Sequence, residues 1–263
     1  MLVLLSPAKK IAQHPVQKGL VETQPVLLDD AEYLMGKLKT YSVGKIKKLM
    51  SVSDDIARLN YGRYQDWKRP LSKKNAWMAA HSFDGSVYWG LDVKSLTTKQ
   101  VEWSNDHLRI LSGLYGLLRP TDLMIPYRLE MGTRMPVTKV KTNLYKFWGD
   151  TITDLLEEEI NRQDHKCVVN LASNEYFKSV NFKKLSVPVV TPIFKDFSKG
   201  EYKPLMTYAK FARGLMSRYI IKNKIKSPEK LKGFDYEGYY YNDQLTDGST
   251  IVFTRDKVPG KLK

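Results

Sequence analysis

The chain has 263 residues, 42% hydrophobic and 11% aromatic, which excludes a disordered polymer and is enough for one large domain or two small ones. Lysine plus arginine is 43 against 28 acids, a formal charge of +15 that attracts polyanions: nucleic acid, nucleotides or an acidic membrane surface. The single cysteine, Cys167, excludes an internal disulfide and fits a reducing compartment.

The start, MLVLLSPAKK, is expected not to be a signal peptide, because its short apolar run is followed by lysines instead of preceded by them. Leu2 to Leu5, stopped by Ser6-Pro7, has the pattern of a buried central strand. No later run approaches the ~20 apolar residues of a membrane-spanning helix, and a cytoplasmic protein is expected. A polar, proline-containing stretch reaches to about Pro25. Helical periodicity then appears in LLDDAEYLMGKLKT and VGKIKKLMSV. Ser53 before Asp54 and Asp55 marks another helix start, with Ile56, Leu59, Tyr64 and Trp67 expected on one face. SVYWGLDV (86–93) reads as a strand after the Asp84-Gly85 turn signal. VEWSNDHLRILSGLYGLL reads as a helix interrupted by glycines and ended by Pro120. LYKFWGDTITDLLEEEINRQ (144–163) reads as one amphipathic helix, with Glu157, Glu158 and Glu159 on its solvent side. CVVNLAS (167–173) is an expected strand, NEYFKSV a short helix, and VPVVTPIF (187–194) a strand interrupted by Pro192. A long helix over 208–224 and a last strand, STIVFTRD (249–256), complete the pattern. Alternating elements predict an α/β (mixed α+β) class and one domain over 1–256, with 257–263 a basic, frayed tail.

Three features bear on function. On the 208–224 helix, Tyr208, Phe211, Ala212, Leu215, Met216 and Tyr219 share one side at about 100° per residue. Lys210, Arg213 and Lys224 lie opposite, with Arg218 and Lys222 at the edges, and no Asp or Glu occurs between Tyr202 and Pro228. Without acidic partners this face is either solvated or a phosphate contact. LSGLYGLLRPTDLMIPYRLEMGTR (111–134) sets Gly113, Gly116, Arg119, Arg128 and Arg134 among apolar residues. Its first part resembles the glycine-bearing turn of a helix-hairpin-helix, where backbone N–H groups approach phosphate, or else a helix C-cap. The ends of the first and the 167–173 strands form the third feature. Ser6 and Lys9 follow the first, Asn170, Ser173, Glu175 and Tyr176 span the end of the second, and ligands of α/β sheets bind at such ends. With Tyr127, Arg128 and Glu130 these residues would line one cleft, for phosphate binding or acid-base work; equally, Asn170 and Ser173 would satisfy loop backbone. The chain has no G-x-x-x-x-G-K-[ST] and no G-x-G-x-x-G, and its histidines are scattered.

LSPAKK, LRILSGLYGLLRPTDLMIPYRLEMGT, LYKFWGDTIT, VNLASNEYFKSV and YAKFARGLMSRYIIKN, in this order, resemble the YaaA family of bacterial peroxide-stress resistance proteins. The resemblance covers nearly the whole chain, although Lys10 stands where many relatives have threonine. It implies a single-domain cytoplasmic protein of unusual α/β fold with a basic cleft and a helix-hairpin-helix-like element. It further implies sequence-tolerant binding of double-stranded, bent or branched DNA, and protection from peroxide by limiting iron-dependent DNA damage. On this reading Lys9, Gly113, Gly116, Arg119, Arg128, Lys210, Arg213 and Arg218 face DNA. Ser6, Tyr127, Glu130, Asn170, Ser173, Glu175 and Tyr176 are the polar cleft residues. No cofactor, metal or membrane partner is expected, and a monomer is favoured. The alternatives are an enzyme acting on a small anionic or nucleotide substrate in the cleft and, with least support, an iron-handling protein.

Overall fold

Four consecutive apolar residues leave a strand no solvent face, and Leu2–Leu5 (β1) is accordingly buried on both sides in the middle of the sheet. The computed structural model describes residues 1–260. After β1 come Lys10–Ile11 (β2) and three helices, Leu28–Lys39 (α1), Val43–Met50 (α2) and Asp54–Asp66 (α3). Short elements follow: Trp77–Met78 (β3), Ala79–Ser82 (α4), Phe83–Asp84 (β4) and Ser86–Leu91 (α5). Then come Thr98–His107 (α6), Leu108–Ser112 (β5), Gly116–Leu118 (β6) and Leu123–Met124 (β7). The remainder comprises Leu144–Trp148 (α7), Thr151–Arg162 (α8), Val168–Asn170 (β8), Asn174–Phe177 (α9) and Val189–Ser198 (β9). Glu201–Lys203 (β10), Met206–Lys222 (α10), Tyr240–Tyr241 (β11) and Thr250–Arg255 (β12) complete the chain.

Among the described residues one eight-stranded sheet runs β11-β12-β9-β8-β1-β5-β6, with β10 on β9. β12, β9, β8, β1 and β5 are mutually parallel, and β6, β10 and β11 add antiparallel edges, so the mixed class is as expected. Counted in chain order, the parallel strands lie 2-1-3-4-5. The chain leaves β1 for β5 on one side and later enters β8 on the other. That reversal leaves a crevice beyond the carboxyl ends of β1 and β8.

Several segments depart from the sequence expectations. Residues 86–91 of the expected 86–93 strand are helical instead, because α5 buries Val87, Tyr88, Gly90 and Leu91 against α10. The expected 101–118 helix stops at His107; Leu108–Ser112 instead pairs with β1 and turns back on itself as the β5–β6 hairpin. The 144–163 helix is two, broken at Gly149, whose φ of +48° suits glycine. In α3 the buried face is Ala57, Asn60 and Tyr64, and Leu59 is exposed. Pro192 does not interrupt β9: Thr191 N–H bonds to the O of Ser249, the residue before β12, and Pro192 follows the last β8 pair, Val169–Val190. In the tail, Tyr208 donates to Pro259 O at 2.6 Å; residues 261–263 lie outside the described residues.

Candidate anion-binding cleft

Because β1 and β8 are parallel neighbours, the chain leaves both at the same sheet edge. Their loops are tied together there: Ser173 N–H donates to Ser6 Oγ at 2.8 Å, and the Ser6 hydroxyl donates to Ser173 Oγ at 3.2 Å. Tyr88 donates to Ser6 O at 3.0 Å, bringing α5 to the same place. A cleft of about 810 Å³ opens beside this knot. Ser6, Lys9, Tyr127, Arg128, Glu130, Ser173, Glu175 and Tyr176 line it from the sheet side, and Lys210 and Arg213 from α10. Asn170 is not among the lining residues: it is buried, and its Oδ1 accepts the Ala172 N–H at 3.0 Å, shaping the loop behind the cleft.

Charges inside the cleft are unevenly paired. Glu130 Oε1 receives Arg128 Nη2 at 2.9 Å and Lys9 Nζ at 3.5 Å. Lys10 pairs with Asp84 at 2.6 Å, and this hydrogen bond, with that of the Trp89 indole, holds the Asp84 carboxyl below its usual range. Glu175 Oε1 accepts the Gly132 N–H at 2.9 Å. Lys210 and Arg213 have no carboxylate within 4.0 Å among the described residues. Arg213 is half-buried, and desolvation lowers its pKa. Arg128 Nε is buried without a hydrogen-bond partner, while the Arg128 carbonyl accepts the Tyr64 hydroxyl at 2.5 Å. Burial pushes the Tyr127, Tyr176 and Tyr88 phenols far above their ordinary range, so all three are neutral near pH 7.

A shallower basin of about 760 Å³ adjoins the cleft and shares Lys9, Glu130 and Glu175 with it. Its outer wall is Lys45, Lys48 and Arg134, none of which is in an ion pair among the described residues. Lys45 Nζ instead stands 3.6 Å over the Tyr41 ring. Sequence inspection missed the two lysines; the clue was KIKKLM, a helical run with lysines and no acid.

Other expected contacts are internal. Arg119 pairs with Asp122 at 3.0 Å and donates to Gln24 O at 2.7 Å, closing its own turn. Arg218 donates to Leu91 O and Asp92 O at 3.1 and 2.9 Å, satisfying the last carbonyls of α5. Gly113 and Gly116 are buried and belong to the β5–β6 hairpin, so no helix-hairpin-helix is built from 111–116. A Cβ at Gly113 would overlap the Leu129 carbonyl, and one at Gly116 (φ +66°) would press on Leu27 and Trp148. Two helices joined by a short turn occur instead at α1 and α2, where Ser42 Oγ accepts the Lys45 N–H at 3.3 Å. Nor is Glu159 on a solvent face: it is buried against Arg109, with Nε–Oε2 of 2.5 Å. His107 and His165, far apart in sequence, have ring centroids 5.1 Å apart beneath the Met1 amine. No group of three or more His, Cys, Asp or Glu among the described residues is placed to hold a metal ion, and no described helix is long and apolar enough to cross a membrane.

Comparison with known proteins agrees with the quoted motifs. Residues 1–245 match the family described as peroxide stress protein YaaA. A UPF0246 protein of Hahella chejuensis is 48% identical over 256 residues, 97% of this chain and 100% of the relative. One from Neisseria gonorrhoeae is 48% identical over 257 residues, covering 98% of this chain and 99% of its own. One from Aliivibrio fischeri (strain MJ11) is 47% identical over 257 residues, with the same coverage. With the family matched over nearly its full length, this chain belongs to the peroxide stress protein YaaA family.

Proposed function

We propose that the protein binds duplex DNA without sequence preference and so shields it during peroxide stress. The observation that carries this reading is the continuous trough formed by basin and cleft, whose outer wall of Lys45, Lys48 and Arg134 is cationic without acidic partners. Exposed, unpaired cations along an open concavity suit a polyanion, since they release counterions from phosphates at little cost in lost ion pairs. Phosphate contacts of this kind position a duplex and do not report its sequence. Lys9, shared by basin and cleft, extends the trough, and the formal charge of +15 adds long-range attraction.

The test is a set of duplex titrations at several salt concentrations. Several phosphate contacts should give log K falling with log salt at roughly −0.9 per phosphate, similarly for unrelated sequences. Lys45→Glu/Lys48→Glu, on an exposed face, should weaken binding at least about tenfold and flatten that slope while leaving the melting temperature unchanged. Wild-type affinity in this variant, or salt-independent binding, would remove the trough from the interface.

A further inference from the structure

We propose that the inner end of the cleft is a site for a phosphate monoester, its dianion held by Arg213 and Lys210 and its body hydrogen-bonded to Glu175. Duplex binding does not need this site, and three observations on the cleft support it.

The first is local charge. Lys9 and Arg128 share Glu130, and Lys10 has Asp84, which leaves Lys210 and Arg213 as the cations of the cleft without a carboxylate within 4.0 Å among the described residues. They are three residues apart on α10, so they stand on one helix face. Two unopposed positive charges match a phosphate monoester, which carries about −1.5 to −2 at pH 7. The single charge of a backbone diester would leave one of them unanswered.

The second is rigidity. Arg213 immediately precedes Gly214, where a Cβ would overlap the Val87 carbonyl, and Gly90 meets the Phe211 carbonyl in the same way. α10 and α5 are therefore packed backbone to backbone, which fixes the origin of the Arg213 side chain and limits the entropy lost on binding. The half-burial that lowers the Arg213 pKa also strengthens its attraction to an anion.

The third is the remaining lining. Glu175 has no cation within 4.0 Å among the described residues; Oε1 accepts only the Gly132 N–H, leaving the carboxylate able to accept from a ligand O–H or N–H. Leu129, Leu171, Ala209 and Met206 provide apolar wall for the body of the molecule. At about 810 Å³ the cleft has the size of small-ligand sites, and it lies at the reversal of strand order where such sites occur. A free phosphorylated small molecule and the terminal phosphate of a DNA strand present the same dianion.

Calorimetric titration with adenosine 5′-monophosphate, with adenosine as the control, tests the site. The monophosphate should bind and adenosine should not. Arg213→Gln and Lys210→Gln should each weaken binding at least about tenfold, and Lys45→Glu/Lys48→Glu should leave it intact. Lys210 is exposed, so its variant carries the test even if Arg213→Gln fails to fold. A parallel comparison of short duplexes with 5′-phosphate and 5′-hydroxyl ends separates the two sources. Preference for the phosphorylated end without binding of the monophosphate assigns the site to strand ends, and the converse assigns it to a small molecule. Absence of both, equal binding of adenosine, or undiminished binding by Lys210→Gln would overturn the proposal. The duplex salt dependence and its loss in the Lys45/Lys48 variant are read separately, so failure of either reading is recognised by itself.

Discussion

Arg109 lies in β5 between Leu108 and Ile110 and is only as exposed as Leu108, at 1%. Its guanidinium is enclosed by partners: Nε donates to Glu159 at 2.5 Å, and Nη1 to the carbonyls of Asn105 and Leu108 at 2.6 and 2.7 Å. Such a pair gains little over apolar residues of the same size, but it is costly to break, because the survivor stays charged in the interior. Glu159→Ala should therefore destabilise the protein by roughly 3–5 kcal/mol. Arg109→Met with Glu159→Leu should restore most of that loss, read from urea unfolding midpoints; a wild-type midpoint for Glu159→Ala would show the pair to be idle. The three-glutamate run gave no local sign of this partnership, which is made by a strand 50 residues earlier. Arg218 is similar, since its acceptors Leu91 O and Asp92 O belong to a distant segment, whereas the Arg119 partner Asp122 stands only three residues on and its other acceptor, Gln24 O, is distant. Ser6, Lys9, Ser173 and Glu175 were legible because their position just after an apolar run fixes which sheet edge they leave from.

At the scale of elements, the α5–α10 contact shows why apolar runs of six to eight residues are ambiguous. SVYWGL is short and apolar enough for a buried strand. What makes it a helix is Gly90, which lets α10 approach so closely that Gly90 and Gly214 each meet the other helix's backbone. Both glycines lie in the helical φ range, so close approach and not backbone freedom requires them. A methyl group at 214 would meet a carbonyl that cannot rotate away, so the helices would have to separate. Gly214→Ala should destabilise by about 1–3 kcal/mol or more, the cost typical of overpacking. Since separation also moves Arg213, the variant should lose binding of adenosine monophosphate under conditions where it is still folded. An unchanged melting temperature would contradict the packing seen between the two helices. The β5–β6 hairpin was hidden similarly: LRILSGLYGLL has no alternation, because both faces of β5 are buried beside β1.

For the whole molecule, the sharpest expectation concerns acid. Burial lowers the pKa of His81, His107 and His165 to about 4 in each case. The causes are structural: His81 is enclosed with Nε2 2.6 Å from Gln17 Oε1, and the other two lie under the chain start. His165 Nδ1 is 3.0 Å from the Met1 amine, whose own pKa burial also lowers, and the amine's charge opposes protonation of both rings. In the unfolded chain these imidazoles titrate near the ordinary 6.5. Between there and about 4 the unfolded state binds more protons than the folded one, so stability falls as the pH falls. Asp122, whose carboxyl burial raises, works in the opposite sense, as one group against three. Each proton of difference contributes roughly 1.4 kcal/mol per pH unit. The Met1 amine, lowered from 8.0 in the same sense, starts a decline above neutral pH, so the melting temperature should fall gently from about pH 8 and steeply from about pH 6.5 to pH 4.5. His81→Gln, which keeps a hydrogen-bonding side chain facing Gln17 but cannot titrate, should make that decline shallower by about a third, as expected for one of three similar groups. A melting temperature that stays level across this range, or an equally steep decline in His81→Gln, would mean that buried neutral imidazoles do not set the acid limit of the fold.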